Sequence, residues 1–348
     1  MNHNFINASD EAFFYSGRID QSVPGEVSYD WPGIYIQTMF EGTGCKAVLQ
    51  GKCCYDITVD DSMSHVIEVG SGKDTFVIAA SLPPGMHSVR IAKRSETNTT
   101  ICKFSGLILD KNCILKAPLI DQSRRIEFIG DSYTAGFGNE YPSRECAPEE
   151  CEEILLRTTN TNRAFGPVLA KSFKAHYQVN AYSGRGLVRN YNGMDKGKEF
   201  PVYYEKLFNS KVNNSSTSPL WNFSSWHPQV IVIGLGLNDF LADPPYADSF
   251  KYDAAYAAML NFLREKHPGV KMVCCATSVW PTQALIPRVK SIVEKQKSAG
   301  NDDVYYFEYF SDNTALYGHP STEDSKKIAR ELQPLIAEIT KWDFEKVE

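Results

Sequence analysis

No stretch of this chain is apolar for long enough to form a membrane-spanning helix, so no membrane partner is expected. Blocks of like charge are missing as well. The net charge is −6, from 36 basic and 42 acidic residues, which leaves no basic face for a phosphate backbone and excludes nucleic acid as a partner. His65, His87, His176, His227 and His267 have no metal-ligand spacing between them, so neither a metal nor a cofactor is implied. The first residues, Met1-Asn2-His3-Asn4-Phe5, lack the basic-then-apolar order of a signal peptide. The expectation is a cytoplasmic protein, unless the sequence begins after a removed signal. Nine cysteines is an odd number, and most are dispersed. Cys53-Cys54 and Cys274-Cys275 lie in apparent strands, where neighbours point to opposite faces as small hydrophobes. Cys146 and Cys151 flank an acidic loop and could pair, but free thiols are expected.

A chain of 348 residues, 43% hydrophobic and 22% charged, has room for two ordinary globular domains. Residues 1–120 read as an all-β domain. Short runs such as Gly33-Ile34-Tyr35-Ile36, Cys45-Lys46-Ala47-Val48-Leu49 and Thr75-Phe76-Val77-Ile78-Ala79 recur between turn signals at Gly51, Gly70, Gly72 and Pro83-Pro84-Gly85. Eight or so strands at this spacing predict a jelly-roll sandwich. From 121 to 348 the pattern alternates, with strands expected at 125–129, 177–182, 230–235, 271–276 and 303–309 and helices between or after them. Such alternation predicts a three-layer α/β domain with a parallel sheet. Helical spacing runs through 249–267, and the last helix opens at Ser321 with Asp324 three residues on. Residues 139–162, polar and broken by prolines, read as an insertion over the end of the first strand.

That first strand, Ile126-Glu127-Phe128-Ile129, breaks at Gly130-Asp131-Ser132. In open α/β sheets, ligands bind beyond the carboxyl ends of the strands, so Ser132 stands where chemistry is expected. The second strand ends in Ser183-Gly184-Arg185-Gly186, and the third in Gly234-Leu235-Gly236-Leu237-Asn238-Asp239. Tyr317-Gly318-His319-Pro320 leads into the last helix. Glu127, a charge inside a core strand, needs a partner; Arg125 or a frayed strand start are the two readings open from sequence.

Four blocks carrying Ser, Gly, Asn and His in that order resemble the SGNH hydrolases, the GDSL-type esterases. A β-sandwich in front, the Phe14-Tyr15-Ser16-Gly17-Arg18 and Trp31-Pro32-Gly33 segments, and Arg189-Asn190 after Ser-Gly-Arg-Gly look like the family 2 carbohydrate esterases. The resemblance implies a flavodoxin-like parallel sheet and a serine esterase that removes acetyl groups from plant-type polysaccharides or oligosaccharides. It implies Ser132 as nucleophile and His319 as base, with the backbone N–H groups of Ser132 and Gly184 and the Asn238 amide as the oxyanion hole. Trp280, after the fourth strand in Ser278-Val279-Trp280-Pro281, is expected to offer an indole face to a sugar ring.

One departure stands out. Such hydrolases commonly carry an Asp two or three residues before the histidine, where this chain has Leu316 and Tyr317. A Ser-His dyad is expected, with a backbone carbonyl holding the Nδ1 proton and Asp312 as the rival carboxylate. Two other functions stay open at this level: a lipid or aryl esterase, and a sugar-binding protein with a degenerate hydrolase half. The expected partner is an acetylated carbohydrate; oligomeric state is not legible.

Overall fold

The computed structural model describes residues 3–111, 113–213 and 217–347. The front part is a sandwich of two antiparallel sheets. One orders His3–Asn7, Cys102–Asp110, Cys45–Gln50 and Asp74–Ala79, with Val27–Tyr29 also paired to Cys102–Asp110. The other orders Leu115–Lys116, Tyr35–Gly42, Gly85–Lys93, Cys53–Val59 and Ser62–Val69, with Phe14–Ser16 paired to Tyr35–Gly42. Period-two alternation sends one set of side chains into the core: His87, Val89 and Ile91 are buried while Ser88 and Arg90 are less so. Val27, Tyr29, Phe40, Leu49, Ile57, Phe104 and Leu107 fill the space between the sheets. The Cys102–Asp110 strand escapes a reading from alternation. A bulge between Phe104 and Gly106 breaks its period, although it pairs on both sides.

The second part holds a five-stranded parallel sheet in the order His176–Ala181, Arg125–Gly130, Val230–Gly234, Lys271–Ala276, Val304–Glu308. The central strands read as near-continuous apolar runs because helices cover both faces. On one face Phe165–Ser172 and Thr322–Thr340 pack over Phe128, Val179 and Val232. On the other, Ser249–Lys266 and Leu285–Ser298 cover Ile129, Ile233 and Met272. The last helix starts on a full capping box: the Ser321 hydroxyl accepts the Asp324 N–H at 3.2 Å, and the Asp324 carboxylate accepts the Ser321 N–H at 2.8 Å.

The two parts share a polar, deeply buried joint, and it resolves Glu127. That carboxylate is neither frayed nor held by Arg125. It is 2% exposed and accepts from Asn180 Nδ2 at 2.6 Å and the Tyr204 hydroxyl at 2.9 Å, with the Arg18 guanidinium of the sandwich 3.7 Å away. Arg18, itself fully buried, also donates to the carbonyls of Tyr204 and Lys206 and lies over the rings of Trp31 and Tyr204. The Phe14–Arg18 and Trp31–Gly33 segments therefore meet the α/β part, and Trp31 Nε1 donates to Leu207 O at 3.1 Å. A buried charge in this setting is tolerated only because its partners are fixed.

Candidate active site

Three strand ends and one turn build the site. Backbone hydrogen bonds at the end of the Arg125–Gly130 strand turn the chain sharply into a one-turn helix, Ser132–Ala135, with the Asp131 carboxylate capping Tyr133 N at 3.1 Å. Gly130 has no room for a side chain, since a Cβ there would lie 2.0 Å from Thr134 Oγ1. Ser132 Oγ thus points out of the sheet end, 2.9 Å from His319 Nε2.

The turn Leu316–Gly318 presents His319, with Tyr317 at φ 53° and Gly318 at φ 72°. Its Nδ1 lies 2.8 Å from the Leu316 carbonyl oxygen, which selects the tautomer with the proton on Nδ1 and leaves Nε2 as an acceptor facing serine. The rings of Phe137 and Tyr133 stand 4.7 and 5.6 Å from the imidazole. Both ring nitrogens are thus engaged without a carboxylate. Asp312 is exposed, and its backbone N–H goes to Asp324 instead. Arg144, in the 139–162 segment, braces this turn by donating to the carbonyls of Asp312 and Asn313 at 2.8 and 2.9 Å.

Burial pushes the His319 pKa down to about 4, only partly offset by the Leu316 carbonyl, which favours the charged ring. A general base works only while neutral. The sign follows: activity should hold as pH falls through the ordinary histidine range near 6.5 and be lost as it falls through about 4. The pH dependence of kcat/KM on an acetyl ester measures this directly, and an acid limb centred near 6.5 would contradict it.

The second strand end supplies Gly184 at φ 78°, a left-handed conformation that a side chain disfavours. Space is not the constraint at Gly184, because the nearest atom to an added Cβ would be 3.9 Å off. Asn238 sits in the short helix Leu237–Phe240 and donates through Nδ2 to the Arg185 carbonyl at 3.0 Å and to Asp131 Oδ2 at 3.3 Å.

Asp239, which sequence reading passed over, holds the frame. Its carboxylate accepts the N–H groups of Leu187, Val188 and Arg189 at 2.9, 2.8 and 3.0 Å. The Arg189 guanidinium returns to the Asn238 carbonyl at 2.8 Å. Burial raises the pKa of Asp239 to about 6, against those hydrogen bonds, and that of Asp131 to about 7. The legible signal was an Asp directly after Asn238.

Ser132, Gly184, Asn238, His319 and Trp280 all line one cavity of about 860 Å³. Trp280 is 75% exposed at its rim rather than packed under a loop, and Tyr317 and Tyr191 also reach the rim. The two tyrosines carry no sequence signal beyond their place beside the blocks. Cys146 and Cys151, expected as free thiols, are bonded to each other, 5.7 Å apart at Cα, with the Tyr317 hydroxyl 3.0 Å from Cys151 Sγ. The other seven cysteines are free, and six of them are buried.

Comparison with known proteins follows the same division. A family model described as carbohydrate esterase 2 N-terminal matches residues 15–118, and one described as GDSL-like lipase/acylhydrolase family matches residues 128–306. An acetylxylan esterase / glucomannan deacetylase of Cellvibrio japonicus is 34% identical over 319 residues, covering 89% of this chain and 85% of that protein. The cellulase/esterase CelE of Acetivibrio thermocellus is 29% identical over 94% of this chain and 39% of its own length. The solved structure of a family two carbohydrate esterase from Clostridium thermocellum in complex with cellohexaose has a TM-score of 0.86 at 27% identity, covering 95% of this chain and 100% of that one.

Proposed function

This chain belongs to the family 2 carbohydrate esterases, and from that membership and the geometry of its site we propose a carbohydrate O-acetyl esterase acting on plant-type polysaccharides or oligosaccharides. The observation that carries the reading is the 2.9 Å contact between Ser132 Oγ and His319 Nε2 at the floor of a cavity rimmed by an exposed tryptophan. Ser132 Oγ attacks the acetyl carbonyl carbon while its proton passes to His319 Nε2. The carbonyl oxygen becomes an oxyanion, held by the N–H groups of Ser132 and Gly184 and by Asn238. As the tetrahedral intermediate collapses, the imidazolium protonates the departing sugar oxygen and acetyl remains on Ser132. Water then attacks the acyl-enzyme with His319 again as base, and acetate leaves. In that second half the water proton taken by His319 passes to Ser132 Oγ as acetate leaves, so serine and histidine end in their starting protonation states while the original serine proton has left with the sugar.

Two measurements test the substrate side. The p-nitrophenyl acetate rate should exceed the butyrate and octanoate rates, because added methylenes need apolar space that an acetyl site does not provide. Equal or better turnover of octanoate would favour a lipid esterase instead. Trp280→Ala should raise KM for an acetylated oligosaccharide about three- to tenfold, what roughly 1 kcal/mol of ring stacking is worth, and leave KM for the small aryl acetate nearly unchanged. The Cys146–Cys151 bridge supports an oxidising, extracytoplasmic setting in place of the reducing one expected from sequence.

A further inference from the structure

The donor loop of the hydrolase is held partly from the other domain. Gly184 is the one oxyanion donor whose orientation the chain does not secure through a strand or helix. Its φ is 78°, and peptides next to glycine rotate at low cost. A flip of the Ser183–Gly184 peptide would replace an N–H by a carbonyl oxygen at the position where negative charge develops. Two hydrogen bonds flank that peptide. On one side Tyr191 N–H donates to the Gly184 carbonyl at 2.8 Å. On the other, Ser183 N–H donates to Glu96 Oε1 at 2.8 Å, and Glu96 belongs to the sandwich part.

Glu96 is delivered there rigidly. It stands three residues past the Gly85–Lys93 strand. The Lys93 ammonium, fully buried, donates to the carbonyls of Asp30 and Ser95 at 3.0 and 2.5 Å. Arg94 pairs with Asp56 at 3.2 Å and with Glu140, and its carbonyl accepts Thr161 N–H at 2.9 Å. The chain that carries Glu96 to Ser183 is therefore fixed from both sides of the domain joint. Burial raises the Glu96 pKa, opposed by the Ser183 hydrogen bonds and by the Lys93 and Arg185 charges, and the carboxyl oxygen accepts from Ser183 N–H in either protonation state.

We propose that Glu96 is a positioning residue for the Gly184 oxyanion donor, so that the sandwich supplies part of the catalytic geometry of the hydrolase. The proposal rests on the esterase reading above. It is tested with two near-isosteric variants of the full chain: Glu96→Gln keeps an acceptor for Ser183 N–H, and Glu96→Met does not. On p-nitrophenyl acetate, Glu96→Met is expected to lower kcat about 10- to 100-fold with KM within about threefold, while Glu96→Gln stays within about threefold in both; full loss of one oxyanion donor costs roughly 10²–10³. Thermal unfolding midpoints of the two variants should agree. Equal kcat for Met and Gln, a loss confined to KM, or a Met variant that unfolds where Gln does not would each overturn it, the last because the contact would then be structural. A wild-type protein without acetyl-ester turnover would overturn the esterase reading itself, and this inference with it.

Discussion

Ser132→Ala is expected to abolish ester turnover, lowering kcat by at least about 10³-fold, while the protein keeps its thermal midpoint. Among the described residues the serine's one polar side-chain contact is with His319 Nε2, so its loss removes the nucleophile and leaves an intact oxyanion hole with nothing to attack the carbonyl. The local fold does not depend on the hydroxyl. The turn is held by Asp131, whose carbonyl accepts Thr134 N–H at 3.1 Å and Ala135 N–H at 2.9 Å and whose side chain caps Tyr133. Residual catalysis from binding and the oxyanion donors alone accounts for what is left in such variants. A Ser132→Ala protein retaining more than about a thousandth of wild-type kcat would remove Ser132 from the mechanism.

His319→Ala should be as severe, and its informative partner is Asp312→Asn. In a Ser-His-Asp triad, changing the acid to its amide leaves the geometry but selects the wrong tautomer, at a cost of about 10⁴ in kcat. Here Leu316 O, 2.8 Å from Nδ1, has already selected the tautomer, and a backbone carbonyl cannot be exchanged by mutation. Asp312→Asn is therefore expected to change kcat by less than about tenfold, against a loss of at least about 10³-fold for His319→Ala. What a carboxylate would add is stabilisation of the imidazolium in the transition state. An acetyl ester, with its better leaving group, demands less of that than an amide. An inactive but folded Asp312→Asn would place a carboxylate in the mechanism by a rearrangement of the 312–319 turn.

The parallel sheet was legible from strand-helix alternation, and Ser132, Gly184, Asn238 and His319 from the resemblance of four blocks, each at a strand end or a helix start, to the SGNH hydrolases. The backbone acceptor for His319 was legible as well, from the absence of an acid at 316 and 317. Contacts across the domain joint were not. Arg18 and Glu127 are 109 residues apart in sequence, and nothing local to either names the other. Glu96 looks like any polar loop residue until the Gly85–Lys93 strand carries it to Ser183. The buried face of the Ser249–Lys266 helix is wider than a single stripe. Tyr252, Tyr256, Met259, Leu260 and Leu263 are buried and Ala255 and Phe262 pack half-buried beside them, a broader arc than helical spacing predicts. The Cys146–Cys151 bridge depended on a loop geometry that five residues of sequence separation permit without requiring.

Acetate release from acetylated glucomannan or xylan oligosaccharides, followed with wild-type protein, tests the central claim most directly. The account predicts acetate in step with loss of acetyl esters from the sugar, at a kcat/KM above that for p-nitrophenyl octanoate. Cleavage of octanoate with no acetate released from any acetylated sugar would contradict it.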